Sequence, residues 1–141
     1  MNHHFITFNK DEIIFLEGRP SHCAYIIESG KIGIYREDSS GNRFLVRKLS
    51  KNDLFGEMSL IDKYPRSATA IALKNTRCMI IERSRFDYLT KFNPQFMVRL
   101  IKSLTEKLRT TIAKLNKAQP LRKKRVAIKT KVSDFYDIKG E

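Results

Sequence analysis

The chain carries the stretch Phe55-Gly56-Glu57-Met58-Ser59-Leu60-Ile61-Asp62-Lys63-Tyr64-Pro65-Arg66-Ser67-Ala68-Thr69. Gly56 lets the backbone approach a ligand at a point where a side chain would obstruct it. Residues 57–61 can form one helical turn, whose free N–H groups attract an anion. Arg66 brings a guanidinium, which binds phosphate oxygens in a bidentate manner, and Ser67 adds a hydroxyl and an amide beside it. The stretch therefore predicts a site for a phosphate group.

Glu57 indicates that the ligand carries more than a phosphate. A carboxylate repels a phosphate, so Glu57 needs a hydrogen-bond donor of its own, and a ribose hydroxyl is such a donor. The alternative is that Glu57 and Arg66 form a structural ion pair, but a buried pair of this kind costs desolvation and stabilises weakly. We therefore expect a ligand in which a sugar is joined to a phosphate.

The stretch resembles the phosphate-binding cassette of cyclic nucleotide-binding domains, which occur in the bacterial catabolite activator protein, in regulatory subunits of cAMP-dependent protein kinase and in cyclic-nucleotide-gated channels. The matching residues are Phe55-Gly56-Glu57-Met58-Ser59-Leu60 and Pro65-Arg66-Ser67-Ala68-Thr69. Phe15-Leu16-Glu17-Gly18 and Tyr25-Ile26-Ile27-Glu28-Ser29-Gly30-Lys31-Ile32 are similar to the family's early strands and glycine turns. The resemblance covers residues 1–118 and implies a cyclic nucleotide sensor that couples ligand capture to movement of its C-terminal helix.

The resemblance implies a role for each residue of the cassette. Glu57 would accept a hydrogen bond from the ribose 2′-hydroxyl, and Gly56 and Met58 would supply backbone contacts. Arg66 and Ser67 would bind the exocyclic oxygens of the cyclic phosphate. A domain that kept the cassette for packing and lost binding is the remaining alternative.

The resemblance also implies how the base is bound. Ile34 and Val46 fall where the family lines the base pocket with apolar side chains, although a role in the core suits them equally. Thr111 coincides with a helix position whose Thr contacts adenine in the catabolite activator family. The next residue is Ile112, where that family offers a hydroxyl from the other subunit. We expect cAMP as the ligand and cGMP as the alternative, since Ser67 has a hydroxyl where some cGMP-preferring domains carry Thr.

The apolar pattern predicts a mainly β fold, a double-stranded β-helix (jelly roll or β-roll), over residues 1–83. Short strands are expected at residues 4–8, 12–16, 24–28, 32–35, 44–49, 68–73 and 77–82. The period then becomes helical, with a short helix capped by Ser84 and a long helix from Asn93-Pro94 that ends before Pro120. We expect residues 1–118 to form the ligand-binding domain and residues 119–141 a basic tail.

The long helix carries a heptad seam, which predicts pairing with a second copy of the chain. The seam consists of Met97, Ile101, Leu104, Leu108, Thr111 and Leu115. The alternative is that the helix packs on its own β-roll, and Phe96, Leu100 and Ile112 widen its apolar face in favour of that. We expect a homodimer, together with a downstream protein partner that the sequence does not identify.

The charge of the chain is concentrated in its C-terminal third. The net charge is +13, and residues 91–141 hold 14 of the 28 Lys and Arg but 4 of the 15 Asp and Glu. A basic segment of this kind suits an acidic partner. The alternative function is therefore binding of a nucleic acid or another partner through this third, which includes Arg122-Lys123-Lys124-Arg125.

Several function classes are not expected. The three histidines are His3, His4 and His22, with none on the later strands, and we expect no metal, no catalytic residues, no cofactor and no enzyme activity. Twenty-six residues follow Leu115, which is too few for a three-helix DNA-binding domain.

The expected location is the cytoplasm. Cys23 and Cys78 lack metal or redox spacing, so we expect reduced thiols. No apolar run reaches the roughly 18 residues of a membrane span, and the first residues do not resemble a signal peptide.

Overall fold

The structure is a computed structural model that describes residues 4–118. The strands are β1 (Phe5–Phe8), β2 (Ile13–Phe15), β3 (Cys23–Ser29), β4 (Ile32–Glu37), β5 (Arg43–Leu49), β6 (Leu54–Phe55), β7 (Thr69–Ala72) and β8 (Thr76–Glu82). The helices are α1 (Met58–Asp62), α2 (Arg83–Phe92) and α3 (Pro94–Ala118). The predicted basic tail, residues 119–141, lies outside the described residues.

The strands form two antiparallel four-stranded sheets, with the orders β1-β8-β3-β6 and β2-β7-β4-β5. The two sheets share one core cluster and so form a β-sandwich. Helices α2 and α3 follow the sandwich along the chain. The predicted mainly β architecture with a short and a long terminal helix is therefore confirmed.

Two local predictions differ from the structure. β6 was not predicted, because two residues are too short for a periodic pattern. Ser84 does not cap α2, since the helix begins at Arg83 and Glu82 occupies the N-cap position in an extended conformation. Strand β8 thus runs directly into the helix. The cap of α3 agrees with the prediction, because the side chain of Asn93 accepts a hydrogen bond from the Phe96 amide at 3.0 Å.

The continuous apolar run in β3 reflects burial on both faces of its sheet. Tyr25 and Ile27 belong to the core cluster between the two sheets, whereas Ala24 and Ile26 belong to a second cluster on the outer face. The second cluster also contains buried residues of the helices, which are Leu60, Phe86, Leu89, Phe96 and Leu100. Alternate side chains of a strand point to opposite faces, so both faces of β3 must be apolar here.

The chain divides into two compact units, the first ending at Glu106 and the second beginning at Lys107. In the first unit, Met97 and Leu104 of the predicted heptad seam pack against the second cluster, whereas Ile101 is 57% exposed. In the second unit, Leu108 and Leu115 are exposed. Within residues 4–118, no helix combines the length and the apolar character needed to cross a membrane.

Candidate functional site

The predicted cassette connects the two sheets. It leaves β6, which pairs with β3, and enters β7, which pairs with β4. The turn after β2 fixes the backbone of Arg66, since the Arg66 amide donates to the Arg19 carbonyl at 2.9 Å and the Gly18 amide donates to the Arg66 carbonyl at 2.8 Å. Arg66 is therefore held at the junction of both sheets and the β2–β3 turn.

Gly56 is required by both its conformation and its neighbour. Its φ of +76° lies in the left-handed region that side chains disfavour. A Cβ at this position would also lie 2.6 Å from Nη1 of Arg66, which is closer than real contacts allow. Arg66 therefore approaches Gly56 closely in this structure, whereas the approach of a ligand to Gly56 stays a prediction.

The guanidinium of Arg66 is buried, and the residue is 5% exposed. Nη1 donates to the Gly56 carbonyl at 2.8 Å, and Nη2 donates to the Cys23 carbonyl at 2.7 Å. Nε is also buried and donates no hydrogen bond to any described residue. An arginine has five N–H donors, so these two bonds leave others for an anion.

Aromatic rings lie under the guanidinium. The Arg66 Cζ is 4.0 Å from the centre of the Phe15 ring, within the range of a cation–π contact. Phe15 in turn stacks on Tyr25 at 6.2 Å and lies 6.0 Å from Phe55. Tyr25 and Phe55 stack at 5.1 Å. The Phe15 ring, packed against the other two, thus contacts the guanidinium without using any of its donors.

Burial governs the titration of this cluster. Burial lowers the pKa of Arg66 from its ordinary value, and interactions with Cys23, Tyr25 and Glu57 partly oppose that shift. Burial also raises the pKa of Tyr25, to which the Cys23 thiol contributes through a hydrogen bond. Because an arginine side chain stays protonated in proteins, the site presents a positive charge in a largely apolar surrounding.

Glu57 is completely buried and lies at the N-cap position of α1. Its carbonyl accepts hydrogen bonds from the amides of Leu60 and Ile61, which start the helical turn. The turn ends at Lys63, whose φ of 64° is left-handed. The predicted helical turn is present, one residue later than expected. It brings Glu57, a buried carboxylate, into electrostatic range of the Arg66 guanidinium.

The other predicted site residues differ in burial. Met58 is 41% exposed as the first residue of α1, and Ser67 is exposed at the bend before β7. Ile34 is half-buried against the core cluster between the sheets and lies opposite Ala70 of β7. Val46 is half-buried beside a β-bulge in the pairing of β4 with β5.

Thr111 belongs to the second unit. Its hydroxyl donates to the Lys107 carbonyl, one turn earlier in α3, at 2.8 Å. The side chain is exposed. Its contact with a base therefore stays a prediction.

Sequence reasoning missed the groups that hold Arg66. Phe15 was assigned only to an early strand, where an aromatic residue is expected to be core. The carbonyls of Gly56 and Cys23 carry no signal in the sequence, because every residue has one. The tertiary structure alone reveals that these groups meet at one guanidinium.

The comparison with protein families identifies a match to the cyclic nucleotide-binding domain over residues 5–92. A relative is the CRP-like cAMP-activated global transcriptional regulator of Mycobacterium tuberculosis. It is 30% identical over 106 residues, which is 75% of this chain and 47% of the relative. The chain thus spans about half the length of this relative.

Solved structures give the same result. The catabolite activator protein of Thermus thermophilus superposes with a TM-score of 0.73 at 28% identity, covering 81% of this chain and 54% of that one. The EAL enzyme Bd1971 in its cAMP-bound form gives a TM-score of 0.61 at 32% identity, over 78% of this chain and 29% of that chain. Its cGMP-bound form gives 0.60 at 33% identity, over 75% and 28%.

Proposed function

Because the chain belongs to the cyclic nucleotide-binding domain family, we propose that it binds a cyclic nucleotide at the cassette and acts as a regulatory module rather than as an enzyme. The observation that carries this proposal is the burial of two opposite charges, Glu57 and Arg66, beside Gly56. Burying two charged groups side by side costs desolvation and stabilises a fold weakly, so their burial favours a role in binding.

In this proposal the ligand's phosphate meets Arg66. Nε is buried without a hydrogen bond to a described residue, and Phe15 fixes the plane of the guanidinium. An exocyclic phosphate oxygen would satisfy such a donor with a charge-assisted bond. Ser67 adds its hydroxyl, and the backbone of Gly56 and Met58 completes the contact. Glu57 accepts from the ribose 2′-hydroxyl.

We propose that the preferred ligand is cAMP, whose base is adenine, and that cGMP binds more weakly. The name of the M. tuberculosis relative describes it as cAMP-activated, and Bd1971 has been solved with cAMP and with cGMP. Ile34 and Val46 supply apolar contacts, and Thr111 supplies a hydroxyl to the base. The sugar and the phosphate are common to both ligands. The preference for adenine therefore depends on how these three side chains contact the base.

Ligand capture is coupled to α3 through the second core cluster. Leu54 immediately precedes the cassette, and Leu60 lies in α1. Both belong to the cluster that contains Phe96 and Leu100 from the start of α3. A ligand that tightens the cassette turn would therefore act on side chains in contact with this helix. It shifts the equilibrium between helix positions by its difference in affinity for them.

Calorimetric titration with cAMP and cGMP tests the phosphate site. Arg66→Ala should weaken binding by roughly 2–5 kcal/mol, because the phosphate loses its charged partner. Arg77→Ala is the matched control, since Arg77 lies 4.1 Å from the Phe5 ring but is exposed on the surface. The control should bind like the wild type. Equal affinity of Arg66→Ala and the wild type would refute the site.

The ribose contact is tested by a cycle that combines Glu57→Gln with 2′-deoxy-cAMP. Glu57→Gln and removal of the 2′-hydroxyl should each weaken binding. If the two groups touch, both changes together should cost less than the sum of the single changes. Strictly additive losses would show that Glu57 acts elsewhere, even if Arg66 binds the phosphate.

A further inference from the structure

A polar cavity lies in the first unit, apart from the cassette, between the end of β5 and the start of α3. Its volume is about 150 Å³, enough for a small ion. Three cationic side chains line it, Arg47 from β5 and Arg99 and Lys102 from α3. Asn52 and Ser103 add an amide and a hydroxyl. None of these residues belongs to the cassette.

Arg47 has a donor without an acceptor among residues 4–118. Its Nη1 is buried and makes no hydrogen bond to a described residue. Its Nη2 donates to Oε2 of Glu106 at 3.1 Å. The Arg47 side chain is 21% exposed, against 65% for Glu106. A buried N–H that lacks an acceptor is costly, so an acceptor from outside the protein would stabilise this arrangement.

Arg47 lies on the face of its sheet that Ile34 also occupies, because the two residues pair directly across β4 and β5. An arginine on this half-buried strand face needs acceptors for its N–H groups. The Glu106 carboxylate accepts from Nη2, and Nη1 has no acceptor among the described residues. The acidic groups that face the cavity are Asp53 and Glu106. Asp53 accepts a hydrogen bond from the Ser50 amide at 2.8 Å, so its carboxylate is engaged in the β5–β6 turn.

We propose that this cavity is a second anion site, which binds a phosphate group, free or esterified, between Arg47, Arg99 and Lys102. The planar fork of Arg47 suits a tetrahedral oxyanion, and the two helix side chains, three residues apart, lie on one side of α3. The anion competes with Glu106 for Arg47. Because it contacts both β5 and α3, its binding gives the helix an input that is independent of the cassette.

The test is a nuclear magnetic resonance titration of the full chain with inorganic phosphate, balanced against chloride at constant ionic strength. The amides of Asn52 and Ser103 report on the cavity, whereas those of Gly56 and Ser67 report on the cassette. Saturable shifts at Asn52 and Ser103 are expected. Failure of the cassette to bind a nucleotide would leave this result untouched, so the two proposals fail separately. A parallel titration with methyl phosphate distinguishes the two sources of the phosphate group. If the site serves a phosphate ester, methyl phosphate should bind more tightly than inorganic phosphate.

Variants of opposite expected sign make the test specific. Arg47→Met should weaken phosphate binding at least tenfold, whereas Glu106→Gln should strengthen it by removing the competing carboxylate. Lys48→Met is the matched control, because Lys48 is the exposed neighbour of Arg47 on β5 and its loss removes the same charge. It should bind phosphate like the wild type.

Three results would overturn the proposal. Absence of shifts at Asn52 and Ser103 would exclude the site. Equal weakening by Arg47→Met and Lys48→Met would mean diffuse attraction to a basic chain. Weaker phosphate binding in Glu106→Gln would mean that the Arg47–Glu106 ion pair maintains the cavity and does not compete with the anion. If Arg47→Met does not fold, the exposed Lys102→Met gives the same test on α3, with weakened binding expected and unchanged binding contradicting the proposal.

Discussion

The guanidinium of Arg66 lies 4.0 Å from the centre of the Phe15 ring. The two residues are 51 positions apart in the sequence, and their contact places a buried positive charge on an aromatic face. Hydrogen bonds to the carbonyls of Gly56 and Cys23 orient Nη1 and Nη2. The Phe15 ring additionally restricts movement of the guanidinium out of its plane. Phe15 thus restricts the orientation of the Arg66 guanidinium.

Phe15→Leu should reduce nucleotide affinity about 2- to 30-fold, because a cation–π contact contributes roughly 0.5–2 kcal/mol. Phe15→Tyr keeps the aromatic face and should restore most of the affinity. Calorimetric titration measures both. Phe8→Leu is the control, since Phe8 lies in the same core cluster with its ring centre 6.2 Å from that of Tyr25, whereas Phe15 is the ring that contacts Arg66. It should lower stability while keeping affinity, and unchanged binding in Phe15→Leu would refute the role of the ring.

Gly56→Ala should destabilise the fold more than Gly41→Ala. Both glycines have left-handed φ values, +76° and +83°, and an alanine there costs about 1–2 kcal/mol. Only at Gly56 would the new Cβ meet Arg66, since nothing lies within 4 Å at Gly41. The two variants' free energies of unfolding, measured in urea, therefore differ by the cost of the clash between the new Cβ and Arg66. Equal losses would mean that Arg66 moves aside freely.

Leu108→Glu and Leu115→Glu should convert a dimer to a monomer. Both side chains are about 60% exposed on α3, and a charge at a coiled-coil core position opposes pairing. Sedimentation measures the mass in solution. Ala113→Glu adds the same charge away from the predicted seam and should leave the dimer intact. A wild-type chain that sediments as a monomer at high concentration would show the prediction of pairing to be wrong.

The free energy of unfolding should fall as the pH rises above 9. Burial raises the pKa of Cys78 from 9.0 to about 12, so the neutral thiol is retained in the folded state while the unfolded chain loses its proton. The contribution is complete below pH 9 and is lost towards pH 12, with a slope of about 1.4 kcal/mol per pH unit. Cys78→Ala should reduce this slope in denaturant unfolding, most clearly between pH 9 and pH 10, because Tyr25, whose pKa burial also raises, contributes a slope of the same sign only above its ordinary pKa of 10. The same slope in both proteins would contradict the assignment.

The sequence predicted the class of fold because turn residues and short apolar runs are local signals. Asn93 and Pro94 define the start of α3 by local capping alone. Ser84 failed as a cap for a tertiary reason, because the sheet pairing of β8 extends through Glu82 and leaves no residue free to turn before the helix. β6 is a strand only because Leu54 and Phe55 pair with β3.

The sequence by itself determined the cassette, since Gly56, Glu57, Arg66 and Ser67 are close in the chain and each carries its chemistry in its own side chain or backbone. Only the tertiary structure decided what holds Arg66, because the Phe15 ring and the Cys23 carbonyl come from other strands. The same holds for the proposed anion site at Arg47, where β5 and α3 bring together charges more than 50 residues apart. Local patterns encode turns and caps, whereas the burial of a charge depends on which distant groups surround it.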